Sequence, residues 1–241
     1  MRRQLVTLAA VALLLAACTP DTTGGEATAP PPTSGAPAAS GAPAATQAPP
    51  TTGTPPTTGG APPAAGPAAT GDYRVTYGWA VPSERATVSH TVNAPPLPYL
   101  VEIHTGDHGT ENPGYARISF YFRVGFPSYN VQYVRQVLTE GRGDPLPLEG
   151  NAALRVGFVE ASTHDDSGHS TIVVAAPTHI GFRNLKSYGF AGDFEGYVSY
   201  GLGIQVAPNS DQVLPIRVGE LRKPDGRGGY LYVVAVDVRV G

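Results

Sequence analysis

Apolar and polar residues alternate along several segments of the chain after Gly71, and this two-residue period is typical of β-strands with one buried face. In the C-terminal segment, valines 234, 236, 238 and 240 fall on one face, and Asp237 and Arg239 fall on the other. The alternation is clear in residues 117–123, 154–158, 198–204 and 234–240, and shorter candidates are residues 73–79, 100–104 and 213–218. The pattern therefore predicts a series of short strands.

Residues 128–140 fit two patterns. Val131, Val134 and Leu138 would share one face of a helix, whereas Tyr129, Val131 and Tyr133 would share one face of a strand. The periodicity alone leaves both structures open.

Glycine-rich turn signals separate the strand patterns. Residues 192–196 (Gly-Asp-Phe-Glu-Gly) lie between two of them, and residues 223–229 (Lys-Pro-Asp-Gly-Arg-Gly-Gly) precede the last one. Short strands joined by turns predict an all-β fold, a small antiparallel β-sandwich or barrel-like domain over residues 71–241.

The first residues have the pattern of an export signal. Arg2 and Arg3 precede an apolar run over residues 5–17, which is too short to span a bilayer comfortably. Leu15-Ala16-Ala17-Cys18 resembles the bacterial lipobox, so residues 1–17 are predicted to be a lipoprotein signal peptide and Cys18 the lipidated residue. The two arginines are compatible with either the general secretory or the twin-arginine export route.

Residues 18–70 are predicted to be the lipidated Cys18 and a disordered linker. After Cys18 the segment consists almost entirely of Ala, Pro, Thr, Gly and Ser, and it contains no Val, Ile, Leu or aromatic residue. Such a composition buries too little apolar surface to offset the entropy of ordering. Fully extended, this linker reaches on the order of 160 Å, at about 3.1 Å per residue.

Charge and cysteine content exclude some functions. The sequence has 16 Lys and Arg residues against 19 Asp and Glu residues, so its formal net charge is −3. No basic stripe indicates a nucleic-acid partner. Cys18 is the only cysteine, so the chain cannot form an internal disulfide and no cysteine nucleophile remains once Cys18 is acylated.

Two histidine-containing segments are candidates for metal binding. His164, Asp165 and His169 form the denser group, and His104, Asp107 and His108 form the second. Imidazole and carboxylate ligands suit zinc, but neither spacing is an established zinc motif, and a plain polar loop has the same composition. We therefore expect no metal and no cofactor, and keep a zinc site at His164, Asp165 and His169 as the alternative.

Two other groups of side chains could form a site. Asp193 and Glu195 alternate within a turn and could act as a carboxylate pair, or simply accept local backbone hydrogen bonds. Alternation predicts that Tyr121, Tyr133 and Tyr197 face outward, where their rings could stack on a sugar or serve only as favoured strand residues. The sequence has no Gly-x-Ser-x-Gly elbow and no phosphate-binding glycine loop, so no catalytic residue is predicted.

The order of these segments resembles the AMIN-like domain of actinobacterial secreted and lipid-anchored proteins, a family related to the AMIN domains of envelope amidases and secretins. The resemblance covers about residues 100–240. It rests on residues 121–134, 150–156, 161–165, 191–196 and 201–203, of which Gly-Asp-Phe-Glu-Gly at 192–196 is the most specific. Two segments depart from the family pattern, residues 73–91 and the long loop 221–229.

The resemblance implies a β-sandwich without known catalytic residues that locates proteins at the cell wall. Together with the lipobox, it predicts a non-enzymatic lipoprotein on the extracytoplasmic face of the cell membrane. Its β domain would bind a cell-wall polymer such as peptidoglycan, or an envelope protein. The alternative is a metal-dependent hydrolase of a wall substrate that uses His164, Asp165 and His169.

Overall fold

The computed structural model describes residues 71–93, 95–208 and 212–241, which contain strands and no α-helix. None of these residues belongs to a helix that is long and apolar enough to cross a bilayer. The predictions for residues 1–70, including lipidation of Cys18, lie outside the described residues. The strands in the described part are β1 (Arg74–Ala80), β2 (Ala86–Val88), β3 (Tyr99–His108), β4 (Tyr115–Arg123), β5 (Ser128–Val134), β6 (Ala152–Val159), β7 (Val174–Ala175), β8 (Leu185–Phe194), β9 (Tyr197–Ile204), β10 (Ile216–Pro224) and β11 (Tyr230–Arg239).

The strands form two sheets. The first sheet has the order β1-β10-β11-β4-β3-β7, and the second has the order β2-β5-β6-β9-β8. Neighbouring strands are antiparallel except for the short β3–β7 pair. The predicted all-β sandwich is therefore confirmed, and the two sheets remain separate rather than closing into a barrel.

The core lies between the two sheets and consists of the apolar sets that alternation identified. Phe120 and Phe122 of β4 are fully buried, and both rings contact Phe158 of β6, with centroids 5.1 and 4.9 Å away. Edge-to-face aromatic pairs of this kind stabilise by about 0.5–1.5 kcal/mol beyond the area they bury. These contacts join the centres of the two sheets.

The ambiguous segment 128–140 is a strand only in its first half. β5 covers Ser128–Val134, and Tyr129 and Val131 on its inner face are each 1% exposed. The shorter candidate at residues 213–218 is strand only from Ile216 onward. The two short segments 73–79 and 100–104 lie within β1 and β3, apart from Tyr73.

A carboxylate is buried at the β1 side of the sandwich. Glu220 of β10 is fully buried and accepts hydrogen bonds from Arg74 Nη2, His90 Nε2 and Tyr129 Oη, each at 2.7 Å. Burial opposes ionisation of this carboxyl, but the three hydrogen bonds outweigh burial and hold the pKa of Glu220 below its ordinary value. Arg74 lies in β1 and His90 just after β2, so the segment before β3 supplies two of the three partners.

A second buried carboxylate lies on the outer face of the first sheet. Asp237 was predicted to face away from the core, and it does so, yet it is fully buried. Arg117 and Arg217 each donate two hydrogen bonds to it, at 2.6 to 2.9 Å, and Tyr73 Oη donates a fifth at 3.2 Å. The guanidinium groups also lie over the rings of Tyr73 and Tyr115, so aromatic side chains cover the ion pairs.

Candidate functional site

Two of the segments on which the predicted family resemblance rests meet in the structure. Asp193, near the end of β8, accepts hydrogen bonds from the backbone amide and the hydroxyl of Thr163, both at 2.7 Å. His164 Nε2 lies 3.5 Å from the same carboxylate oxygen. The residues before the His-Asp pair and those of the Gly-Asp-Phe-Glu-Gly segment thus form one contact, although thirty positions separate them.

Residues 164–170 form a small hairpin whose polar groups bind one another. His164 and Ser170 pair as an isolated bridge, and Asp165 Oδ1 accepts from the backbone amides of Ser167 and His169, both at 2.9 Å. Asp165 therefore serves as a turn residue. The predicted polar-loop interpretation accounts for its position.

The candidate metal ligands do not form a three-ligand group in the described ranges, where no set of three or more His, Cys, Asp and Glu side chains could hold a metal ion. His164 is next to Asp193, and His169 Nδ1 lies 3.6 Å from Asp165 Oδ2 with most of its ring exposed. The second group also divides, because His104 pairs with Glu102 at 2.8 Å and His108 with Glu111 at 2.8 Å.

The turn between β8 and β9 is shorter than the five-residue segment suggested. Glu195 and Gly196 have φ angles of 50° and 80°, as the two-residue turns of tight hairpins require. Gly192 and Asp193 lie inside β8. Asp193 is engaged by Thr163, while Glu195 is exposed at the turn itself.

Gly192 is required for a different reason than Gly196. A Cβ atom at position 192 would lie 2.5 Å from the Cβ of Glu140, which belongs to the segment that crosses the outer face of the second sheet. The close approach of two chain segments, and not a positive φ, therefore explains this glycine.

The sandwich is open along the edge where β8 of the second sheet faces β3 and β7 of the first. The opening is a cleft of about 520 Å³, and a neighbouring cleft of about 760 Å³ shares His164 and Gly168 with it. We call the two together the His164 cleft. Its lining includes Ile103, Thr163, His164, Ser170, Ile172, Ala175, Tyr188, Phe190, Asp193 and Tyr200 on one side and Leu97, Tyr99, Ser162, Asp165, Asp166 and Thr171 on the other.

Phe190 is the most exposed aromatic residue of the cleft. It pairs with Tyr200 in the sheet register, so it lies on the face of β8 that carries core residues, yet it is 48% exposed. Its ring packs edge-on against Tyr200, with centroids 5.5 Å apart. An apolar ring that would be core in a closed sandwich is therefore available to a ligand at this edge.

The three candidate tyrosines have different environments. Tyr197 is 55% exposed on the outer face of the second sheet, as predicted. Tyr121 is half-buried against His104, with ring centroids 4.8 Å apart. The outward prediction for Tyr133 is wrong, because its ring packs against the core and its hydroxyl donates to the carbonyl of Leu214 at 2.8 Å.

Phe190 was not among the candidates. β-bulges interrupt the pairing of β8 with β9 on both sides of it, between residues 185 and 187 and between residues 190 and 192. Because each bulge shifts the alternation, periodicity could not assign this residue to a face.

Removal of the Asp193 carboxylate should destabilise the domain. Asp193→Ala loses two hydrogen bonds to a charged acceptor and leaves the amide of the buried Thr163 without a partner, which we expect to cost about 2 kcal/mol in thermal unfolding. Glu195→Ala, at the exposed turn, is the matched control and should leave the melting temperature unchanged. If the wild type instead hydrolysed muropeptides, and Asp193→Ala lost this activity at full stability, Asp193 would be a catalytic residue.

Comparison with known proteins identifies a family but no individual relative. The sequence model of the AMIN-like domain matches residues 98–240. No curated protein and no solved structure shows significant similarity to the chain. The match begins just before β3, so β1 and β2 precede it, although each is an edge strand of one sheet.

Proposed function

The chain belongs to the AMIN-like domain family, and from this premise we propose that it is a lipid-anchored protein of the cell envelope whose β domain binds a wall polymer through the His164 cleft. AMIN-like domains are associated with cell-envelope proteins that bind peptidoglycan or protein partners. The family thus supports the envelope as the place of action, and the cleft supports binding as the activity.

The observation that carries the proposal is the composition of the His164 cleft. An exposed aromatic ring, Phe190, lies beside polar groups from Thr163, His164 and Ser170, and the opening continues past His164 into the second cleft. Sugars present both an apolar ring face and hydroxyl groups, so this combination suits a glycan. A groove that continues on both sides of one residue suits an extended polymer better than a small molecule.

The polar groups of the cleft favour binding over catalysis. Asp193 accepts from Thr163, and Asp165 accepts from the backbone of its own hairpin, so both carboxylates already serve as hydrogen-bond acceptors within the fold. The zinc hydrolase alternative makes a distinct prediction, since such an enzyme would purify with about one equivalent of zinc bound by three protein ligands.

An envelope protein is the second candidate partner. Val173 is 77% exposed and Val174 44% exposed, next to the edge of the first sheet where β7 makes only a two-residue pair with β3. A partner strand could extend this edge. The glycan is favoured because the cleft itself contains the exposed ring.

Phe190→Ala should weaken binding of the full chain to purified peptidoglycan. Truncation of an exposed aromatic anchor costs more than about 1.4 kcal/mol at many binding sites, so we expect an approximately tenfold higher concentration for half-maximal co-sedimentation. Tyr230→Ala is the matched control, because Tyr230 is 40% exposed on β11 and does not line the cleft. Equal binding by all three proteins would contradict the assignment of the cleft, and no binding by the wild type would favour a protein partner.

The lipid anchor is tested separately. Cys18→Ser should move the processed protein from the membrane fraction to the soluble fraction, because the linker that follows has no Val, Ile, Leu or aromatic residue to make a second membrane contact. Fractionation is read together with the mass of the N-terminal peptide, since an uncut signal would also retain the variant in the membrane. A wild-type N-terminus without acyl mass would contradict the lipoprotein assignment.

A further inference from the structure

A second pocket lies on the outer face of the second sheet, away from the lining of the His164 cleft. It encloses about 260 Å³ above Gly157 of β6 and Ser199 of β9. We call it the Asn130 pocket. The side chains that line it include Arg85, Asn130, Glu140, Arg155 and Tyr197.

Asn130 is the feature that indicates a ligand. It is 9% exposed, lines the pocket, and its side-chain amide makes no hydrogen bond to another residue of the described ranges. The amide atoms are not fully enclosed by protein, so they reach solvent where Asn130 lines the pocket. An amide group has two donors and an acceptor, and these are therefore available to a ligand.

Gly157 allows the amide to lie where it does. A Cβ atom at position 157 would be 3.1 Å from both Nδ2 and Oδ1 of Asn130. Any larger residue would press against the amide that glycine accommodates. The glycine and the asparagine pair across β5 and β6, so the sheet itself holds the amide in place.

The charges around the pocket favour a ligand with one negative charge. Arg155 donates to Glu140 at 2.8 Å, and the same oxygen of Glu140 accepts from Ser199 Oγ at 2.8 Å, so these two opposite charges compensate each other. Arg85 is exposed and makes no ion pair within the described part of the chain. One guanidinium is therefore left to bind an anion, and Glu140 disfavours a doubly charged one.

Size and the neighbouring ring define the rest of the ligand. The volume of the Asn130 pocket corresponds to on the order of nine water molecules, which is enough for one sugar ring. Tyr197, 55% exposed, presents an apolar ring face at the same pocket. We propose that the Asn130 pocket binds a carboxylate-bearing sugar residue, with Arg85 on the carboxylate, Asn130 on a polar ring substituent and Tyr197 against the ring.

The proposal is tested by calorimetric titration of the full chain in detergent. The probes are N-acetylmuramic acid and glucuronic acid, with N-acetylglucosamine and glucose as their neutral counterparts and N-acetyl-alanyl-alanine as a carboxylate without a sugar. At least one acidic sugar should bind about tenfold more tightly than its neutral counterpart and than the peptide. Equal affinity for the neutral sugar, tighter binding of the peptide, or no binding of either acidic sugar would overturn the proposal.

Variants locate the binding and separate it from the His164 cleft. Arg85→Ala should weaken binding of the acidic sugar about tenfold. Asn130→Asp should also weaken it, because the new carboxylate repels the carboxylate of the sugar. Arg239→Ala, another exposed arginine, is the control and should bind as the wild type does. Phe190→Ala should bind the monosaccharide as the wild type does while its peptidoglycan binding is weakened, so failure of one site would not be mistaken for failure of the other.

Discussion

A chain that begins at residue 98, where the family match begins, should not fold. It lacks β1 and β2, which form the edges of the two sheets beside β10 and β5. It also lacks Arg74 and His90, two partners of the fully buried Glu220, and Tyr73, which contacts Asp237. Breaking a buried ion pair from one side costs about 3–5 kcal/mol, and the lost strand pairing adds to this cost. The sum is comparable to the whole stability of a typical domain, about 5–15 kcal/mol.

Circular dichroism and thermal melting of two truncated chains measure this effect. The chain beginning at Gly71 retains both edge strands and should melt within error of the longer form, because residues 19–70 contain almost no apolar side chains beyond Ala and Pro. The chain beginning at residue 98 should show no cooperative transition. A cooperative transition for that chain would show that the N-terminal strands are additions to a complete sandwich.

Glu220→Ala should be the most destabilising single substitution considered for this domain, by about 3–5 kcal/mol. It leaves Arg74, His90 and the hydroxyl of Tyr129 without their shared acceptor and creates a cavity at a fully buried position. Glu220→Gln retains the shape and should cost less. Glu84→Ala, an exposed glutamate, should leave the melting temperature unchanged.

The pH dependence of stability distinguishes the charge of Glu220 from its packing. Because the pKa of Glu220 is lowered by its three donors, its contribution is present above the ordinary carboxyl pKa of about 4.3 and is lost as the pH falls through the lower, folded-state value. The stability difference between the wild type and Glu220→Gln should therefore narrow as the pH falls from about 5 to below the ordinary pKa of about 4.3. A constant difference across this range would show that folding does not lower the pKa of Glu220, and a difference that grows on acidification would show that the buried carboxyl is protonated.

Asp225 should contribute to the same acid sensitivity. The backbone amide of Arg227, the guanidinium of Arg123 and the amide of Gly229 lower the pKa of Asp225 to about 2. These bonds order the loop between β10 and β11, because the carboxylate of Asp225 at its start accepts from the amides of Arg227 and Gly229 further along it.

Alternation along the sequence was sufficient to predict the sandwich but not the buried charges. The valines of β11 and the phenylalanines of β4 alternate because one face of each strand is core, and a two-residue period reports this directly. The same period assigned Asp237 to the opposite face and could not show that Arg117, Arg217 and aromatic rings cover that face. The outward assignment of Tyr133 was wrong because its ring packs on the core side of β5, while its hydroxyl reaches the carbonyl of Leu214.

The candidate site depended on contacts that are distant in sequence. The histidine segment and the Gly-Asp-Phe-Glu-Gly segment could each be identified as unusual, but their meeting through Thr163 and Asp193 depends on how β8 lies beside β3. The residue that matters most for the proposed binding, Phe190, lies between two bulges and gave no periodic signal. Asn130 likewise lies within a regular strand, and only the contacts of its side-chain amide in the fold distinguish it.

Hydrogen exchange of the full chain with and without solubilised peptidoglycan fragments tests the central claim most directly, because it locates the bound surface without any substitution. Binding at the His164 cleft should slow exchange in residues 162–172 and in the part of β8 around Phe190, and should leave β1 and β10 unchanged. Slower exchange distributed over both sheets would indicate that the fragments stabilise the whole domain, and would not locate binding at this cleft. Saturating fragments that leave the amides of residues 162–172 and of β8 exchanging at their free rates would contradict the assignment of this cleft as the wall-binding site.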